Sequence, residues 1–213
     1  MRRRHFLFTL GATLACRQPA GAGQTYAISQ AETLIASMQD GGKVIYLRHS
    51  TTHQEQIDTG RLGDRAGQRN LSPSGIQQAR ALGEALRALR VPLNEILASP
   101  VFRARDTAER AFGETSVTVT MDLVADDYAG GNVRAMVDAT RGLLRTPPSP
   151  GHNRVLVGHR TPLELVTGRP FPDDVLPEGA MAVFLPGGEI HLLGTVTAER
   201  VIRAAEARGA LPR

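Results

Sequence analysis

The sequence predicts an α/β fold, a three-layer α/β/α sandwich with a largely parallel central sheet. Short apolar, β-branched runs of strand length alternate with stretches whose apolar residues recur at helical spacing. Cap-and-proline openings, Ser72-Pro73 and Ser99-Pro100, punctuate that alternation. Polar groups also gather just past three expected strand ends, where open α/β sheets take their ligands.

The elements follow in order. Ser29 to Met38 reads as a helix with Ala31, Leu34, Ile35 and Met38 on one face, closed by Gly41-Gly42. Lys43 to Leu47 (KVIYL) is the first strand, and a long polar loop runs from His49 to about Leu71. Ser72 caps the next helix and Pro73 suits its first position, where no N–H is needed. Ile76, Ala79, Leu82, Leu86 and Leu89 form its apolar stripe, and Val91-Pro92 stops it. Glu95 to Ala98 is a second strand, and Ser99-Pro100 repeats the opening for a helix to about Phe112. Val117 to Thr120 is a third strand, Asn132 to Leu144 a helix, and TPPSPGHN (146–153) a turn-rich connection. Arg154 to Val157 leads a fourth strand into Gly158-His159, and a helix follows from Pro162 to Thr167. Ala180 to Leu185 and Glu189 to Thr195 are strands joined at Pro186-Gly187-Gly188, and Thr197 to Arg208 closes the chain as a helix.

With 213 residues, 41% hydrophobic and 22% charged, the chain has a globular balance and enough length for one domain with a real core. No apolar run reaches the roughly 18 residues of a membrane span. Residues 1–22 read as a signal peptide, leaving 23–213 as the folded domain. Arg2, Arg3 and Arg4 precede an apolar stretch from Phe6 to Ala15, and Ala20-Gly21-Ala22 offers a cleavage site. Arg3-Arg4-His5-Phe6-Leu7 is twin-arginine-like; an ordinary secretory signal is the alternative. Either implies a periplasmic or secreted protein. The single cysteine, Cys16, lies in this segment, and a lipid anchor on it is the alternative to cleavage after Ala22. Four of the 25 Lys and Arg also lie there, leaving 21 against 21 acidic residues. The folded part therefore has no basic excess, which argues against a nucleic-acid partner.

Three constellations can carry chemistry. Arg48-His49 follows the first strand: a neutral imidazole is a nucleophile, and a guanidinium offers a planar fork to phosphate oxygens. An isolated pair of this kind is more often a surface histidine. Ser99–Ala108 (SPVFRARDTA) opens a helix, whose free N–H groups attract anions; Arg103 in its first turn is the wrong charge for the dipole, which suggests another purpose. Arg105 and Asp106 read as surface charges. Gly158-His159 follows the fourth strand, with Gly158 permitting close approach to the backbone and His159 a hydrogen-bond donor, best when protonated. His53, His152 and His191 read as structural or surface residues, and no metal-ligand spacing occurs.

Together these segments resemble the histidine phosphatase superfamily, the phosphoglycerate mutase-like family. RHS (48–50) resembles its Arg-His-Gly motif, SPVFRARDTA matches each fixed position of its Ser-Pro-x-x-Arg-Ala-x-x-Thr-Ala motif, and VLVGH (155–159) its late Gly-His. QRNLSPSGIQQARALG (68–83) is similar to its Leu-Thr/Ser-x-x-Gly-x-x-Gln-Ala helix opening. The resemblance implies a phosphatase without metal or other cofactor, in which His49 takes up the phosphoryl group and Arg48, Arg103 and His159 hold its oxygens. It implies a small-molecule or envelope phosphomonoester as substrate. Ser50 departs from the usual glycine and, with Ser99, Gly158 and Glu178, is a candidate substrate contact. The acid that protonates the leaving oxygen is expected at Asp126 or Asp127, with Glu178 a third candidate. A phosphomutase and a non-catalytic phosphate-binding protein are the alternatives. Neither the substrate nor the oligomeric state is legible.

Overall fold

A computed structural model describes residues 21–211. Most of the expected signal segment, with Cys16, lies outside the described residues. The order is α1 (Gly21–Gln39), β1 (Val44–Arg48), α2 (Pro73–Ala88), β2 (Leu93–Ala98), α3 (Phe102–Phe112), β3 (Val117–Val119), α4 (Val133–Arg145), β4 (Asn153–Gly158), α5 (Arg160–Thr167), β5 (Met181–Leu185), β6 (His191–Val196) and α6 (Ala198–Ala207). Each expected element is present, with ends displaced by a few residues. The exception is α1, which starts at Gly21, eight residues before Ser29 and ahead of the expected cleavage point.

The sheet order is β3-β2-β4-β1-β5-β6. Strands β3, β2, β4 and β1 run parallel, and β5 and β6 add an antiparallel edge. The pleat of β1 divides the core. Ile45 and Leu47 join Ile35 and Met38 of α1, Leu82 and Leu86 of α2, Ala104 of α3 and Val201 of α6. Val44 and Tyr46 face Leu144 of α4 and Leu163 and Val166 of α5. Helices on both faces make the three-layer α/β/α sandwich.

The crossover of β1 and β2 around β4 positions the site. Arg48 lies in register with Gly158, and Ala98 with Val157. His49, Ser99 and His159, the next residue of each chain, therefore emerge side by side. Two backbone bonds clamp them, His49 N–H to the Gly158 carbonyl and Ser99 N–H to the Val157 carbonyl, each 3.0 Å.

One expected cap is corrected. Ser72 caps α2, accepting from Gly75 N–H, but Ser99 does not cap α3. That helix starts later, with Val101 at the cap position and no side-chain cap bond from it. Instead Gln68, buried in the loop, accepts from Phe102 N–H at 3.0 Å. A glutamine 34 residues away in sequence thus satisfies a free donor of the helix and pins the loop to α3.

Candidate active site

His49 and His159 face one another with ring centroids 5.5 Å apart. Arg48, Arg103 and both histidines are buried, none more than 8% exposed. Arg48, His49, Arg103 and His159 line one cleft of about 220 Å³, together with Asp126 and Asp127 of the segment after β3. Three sequence-distant segments thus meet around a space fit for a phosphoryl group.

The state of His49 follows from its neighbours. Its Nδ1 lies 3.0 Å from the Ser50 carbonyl, which can only accept, so the ring proton sits on Nδ1 and Nε2 keeps its lone pair. Burial, then the charge of Arg103, drives its pKa well below the ordinary value; the Ser50 carbonyl opposes this, and Arg48 and Arg69 reinforce it. Burial and then Arg103 lower His159 likewise, with smaller pushes from His49 and Arg48. His159 is therefore neutral. Its Nε2 meets Ser99 Oγ at 2.9 Å, and that oxygen already accepts from Val101 N–H. The hydroxyl proton has no other acceptor among the described residues, so it points to Nε2 and leaves Nδ1–H as the free donor of the ring. Ser99 thus bears on the tautomer of His159, and it is not among the residues that line the cleft.

Among the described residues, three buried side-chain polar atoms have no partner: Arg48 Nε, Ser50 Oγ and His159 Nδ1. Unpaired buried donors are costly, by about 1–3 kcal/mol each. Two of them belong to residues that line the cleft and were expected to hold phosphoryl oxygens. Arg48 is also anchored from behind, Nη1 donating to Asp173 Oδ1 at 2.6 Å and to the Leu176 carbonyl at 2.7 Å.

The motifs acquire structural reasons. Thr107, the threonine of SPVFRARDTA, accepts from Ser50 N–H at 2.9 Å and donates to the Arg103 carbonyl at 2.7 Å, tying the loop after His49 to α3. A Cβ on Gly75 would lie 1.9 Å from the Thr51 carbonyl oxygen, so only glycine lets α2 approach the loop. Gln78, one turn on, accepts from Thr51 N–H and donates to the Glu178 carbonyl. At Gly158 the close approach is not that of a ligand, as expected. A Cβ there would fall 2.3 Å from the Tyr46 hydroxyl, which is bonded to both N–H and C=O of His159.

Several participants escaped the sequence reading. Arg103 Nη1 lies 3.0 Å from both carboxylate oxygens of Asp58, and Asp58 Oδ1 also accepts from Tyr128 Oη (2.6 Å) and Arg69 N–H (2.9 Å). Burial pushes the Asp58 pKa up, but these bonds and Arg103 prevail and hold it below the usual carboxylate range. Nothing in the loop sequence separates Asp58 from Asp64. Asp106, read as a surface charge, instead takes a two-pronged bond from Arg65 (2.6 and 2.9 Å) that fastens the same loop.

The acid candidates separate. Glu178 accepts from Arg69 at 2.9 Å and from Thr52 Oγ at 2.8 Å, and lies 4.0 Å from His49 Nδ1. With His49 neutral this is no ion pair. Glu178 lines the neighbouring space and not the cleft that holds Asp126 and Asp127. Asp127 lies at the exposed rim; partial desolvation raises its pKa, Arg103 opposes, and Asp126 and Asp58 add to the rise. Among the described residues no group of three or more His, Cys, Asp or Glu is placed to hold a metal ion.

Two neutral buried histidines make stability depend on pH. Their folded pKa values lie below the unfolded value near 6.5, so below that pH the unfolded chain binds protons that the folded one refuses. The stability they confer is complete above about pH 6.5 and declines as the pH falls, each adding up to about 1.4 kcal/mol per pH unit. Urea midpoints in phosphate-free buffer should therefore drop between pH 7.5 and 5.5, and less steeply in His159→Asn; equal slopes would contradict the assignment.

The comparisons agree with this fold. The profile of the histidine phosphatase superfamily (branch 1) matches residues 44–141. Among solved structures, the protein histidine phosphatase SixA complexed with tungstate superposes with a TM-score of 0.55 at 16% identity, covering 75% of this chain and 99% of that one. A putative phosphohistidine phosphatase SixA from Nakamurella multipartitia gives 0.50 at 18%, covering 73% and 95%. The ecdysone phosphate phosphatase from Bombix mori, also with tungstate, gives 0.50 at 16%, covering 71% and 91%. No curated protein sequence matches the chain. The matched segment carries the Arg-His and Ser-Pro-x-x-Arg-Ala motifs that build the cleft, and over residues 44–141 the chain is similar to the histidine phosphatase superfamily.

Proposed function

We propose that the protein hydrolyses phosphomonoesters through a phosphohistidine on His49, without a metal ion. The observation that carries this reading is a neutral imidazole with a free Nε2 beside unpaired donors on Arg48 and His159 and the guanidinium of Arg103. A phosphoryl group bound there would give each donor the partner it lacks. Nε2 attacks phosphorus, an N–P bond forms, the P–O bond to the leaving group breaks, and the departing oxygen takes a proton from Asp127. The Asp127 carboxylate then draws a proton from water as that water attacks phosphorus, releasing inorganic phosphate and restoring His49.

Asp127 is preferred over Asp126 because its raised pKa keeps it a proton donor at higher pH. Asp127→Asn is expected to slow hydrolysis of an alkyl phosphate about a hundredfold, and p-nitrophenyl phosphate far less, since that leaving group needs no proton. An equal loss on both would remove Asp127 as the acid. The test of the whole reading is phosphate release from p-nitrophenyl phosphate by chelator-treated protein. Phosphate binding without turnover on a broad phosphoester panel would select the non-catalytic alternative.

We also infer a location outside the cytoplasm, supported by the sequence of residues 1–22 alone. Fused to a reporter active only after export, that segment should deliver it; cytoplasmic retention would refute the inference.

A further inference from the structure

A second cavity of about 500 Å³ adjoins the phosphoryl cleft and shares Arg48, Arg69 and Arg160 with it. Thr51, Gln54, Asp173 and Glu178 complete its polar lining, and Pro177 is the one apolar residue there. We propose that this cavity receives the leaving group, and that its juxtaposed guanidinium–carboxylate pairs and Gln54 select a polyhydroxylated one: the substrate is a phosphorylated sugar or polyol. The proposal deepens the hydrolase reading above and rests on it.

The argument turns on how the charges are spent. Asp173 Oδ1 takes Arg160 at 2.7 Å and Arg48 at 2.6 Å, while Glu178 Oε1 takes Arg69 at 2.9 Å. Each arginine of this wall already has a carboxylate against it. A leaving group with a second phosphate would have to displace those carboxylates or lie beside them, and like charges at such range repel. An alkyl or acyl chain would cover the pairs and strip their water while offering no hydrogen bond in return. A hydroxyl group both donates and accepts, so a polyol can donate to Asp173 or Glu178 and accept from the neighbouring guanidinium without breaking either pair. Gln54, exposed on the loop, adds an amide that can donate and accept at the same rim.

The position agrees with the chemistry. Arg48 faces both spaces, its Nε unpaired and its Nη1 on Asp173. A ligand spanning the two would place its phosphoryl group at His49 and its hydroxyls against Asp173.

Three substrates with primary phosphate esters and a six-carbon core test this: a hexose 6-phosphate, the hexose 1,6-bisphosphate and n-hexyl phosphate. For the full chain, kcat/KM on the hexose 6-phosphate is expected to exceed each of the others by at least about tenfold, the worth of one or two hydrogen bonds to charged groups. In Gln54→Ala and Arg160→Met the ratio of hexose 6-phosphate to n-hexyl phosphate should narrow below about threefold. Parity or preference for n-hexyl phosphate would overturn the proposal, and preference for the bisphosphate would assign a second-anion site instead. Dissociation constants of the same ligands, measured by calorimetry on His49→Ala and on the unaltered protein with vanadate as reference, keep the outcomes separate. Missing turnover on p-nitrophenyl phosphate refutes the hydrolase reading, whereas unranked affinities refute the pocket alone.

Discussion

His49→Ala should abolish phosphate release, lowering kcat by at least about four orders of magnitude, because no other side chain in the cleft can take its place as the attacking atom. The imidazole is oriented by the Ser50 carbonyl and kept neutral by burial and by Arg103. Protein quenched in alkaline detergent after incubation with radiolabelled substrate should carry acid-labile, base-stable label on the unaltered chain and none on the variant. A residual rate within tenfold of the original would exclude His49 as the nucleophile. The variant should still fold, since it loses a buried polar ring whose protonation opposes folding at low pH, and cooperative thermal unfolding checks this.

Arg103→Ala should produce the next largest loss, about 10²- to 10³-fold in kcat/KM, the usual effect of removing one charged donor from a transition-state cradle. Arg103 also acts on both histidines, since its charge helps keep each neutral. Arg103→Lys is expected to recover little of the loss, because a single ammonium cannot hold Asp58 and a phosphoryl oxygen with the same planar fork. Asp58→Asn separates the two roles. It leaves the guanidinium in place without its carboxylate, so it should cost far less than Arg103→Ala. If the two variants fall equally, Arg103 acts by anchoring the loop rather than by meeting phosphate.

Much of the fold was legible. Each strand and helix announced itself by periodicity, and the polar groups at three strand ends marked one site without any appeal to a family. His49, Arg103 and His159 stood out for that reason, and Asp126 and Asp127 by their place after β3. The misreadings share a cause. Ser99-Pro100 has the local signature of a cap, but Ser99 is drawn to His159 and Val101, and Gln68 serves α3 from another segment. Gly158 was read as space for a ligand, yet its neighbour is the Tyr46 hydroxyl on the adjacent strand. Glu178 could not be set apart from Asp127, because which of two adjoining spaces a carboxylate lines is not a property of its own sequence neighbourhood.

The sequence by itself determined the alternation of elements, the layers they build and the identity of the groups at the strand ends, because hydrophobic period and turn chemistry act over a few residues. Only the tertiary structure decided which nitrogen of each histidine carries its proton, that Asp58 rests on Arg103, and that Asp173 and Glu178 occupy the arginines beside the cleft. Those outcomes depend on burial and on partners tens of residues apart, and electrostatic and hydrogen-bond terms of that kind exist only once the chain has closed around them.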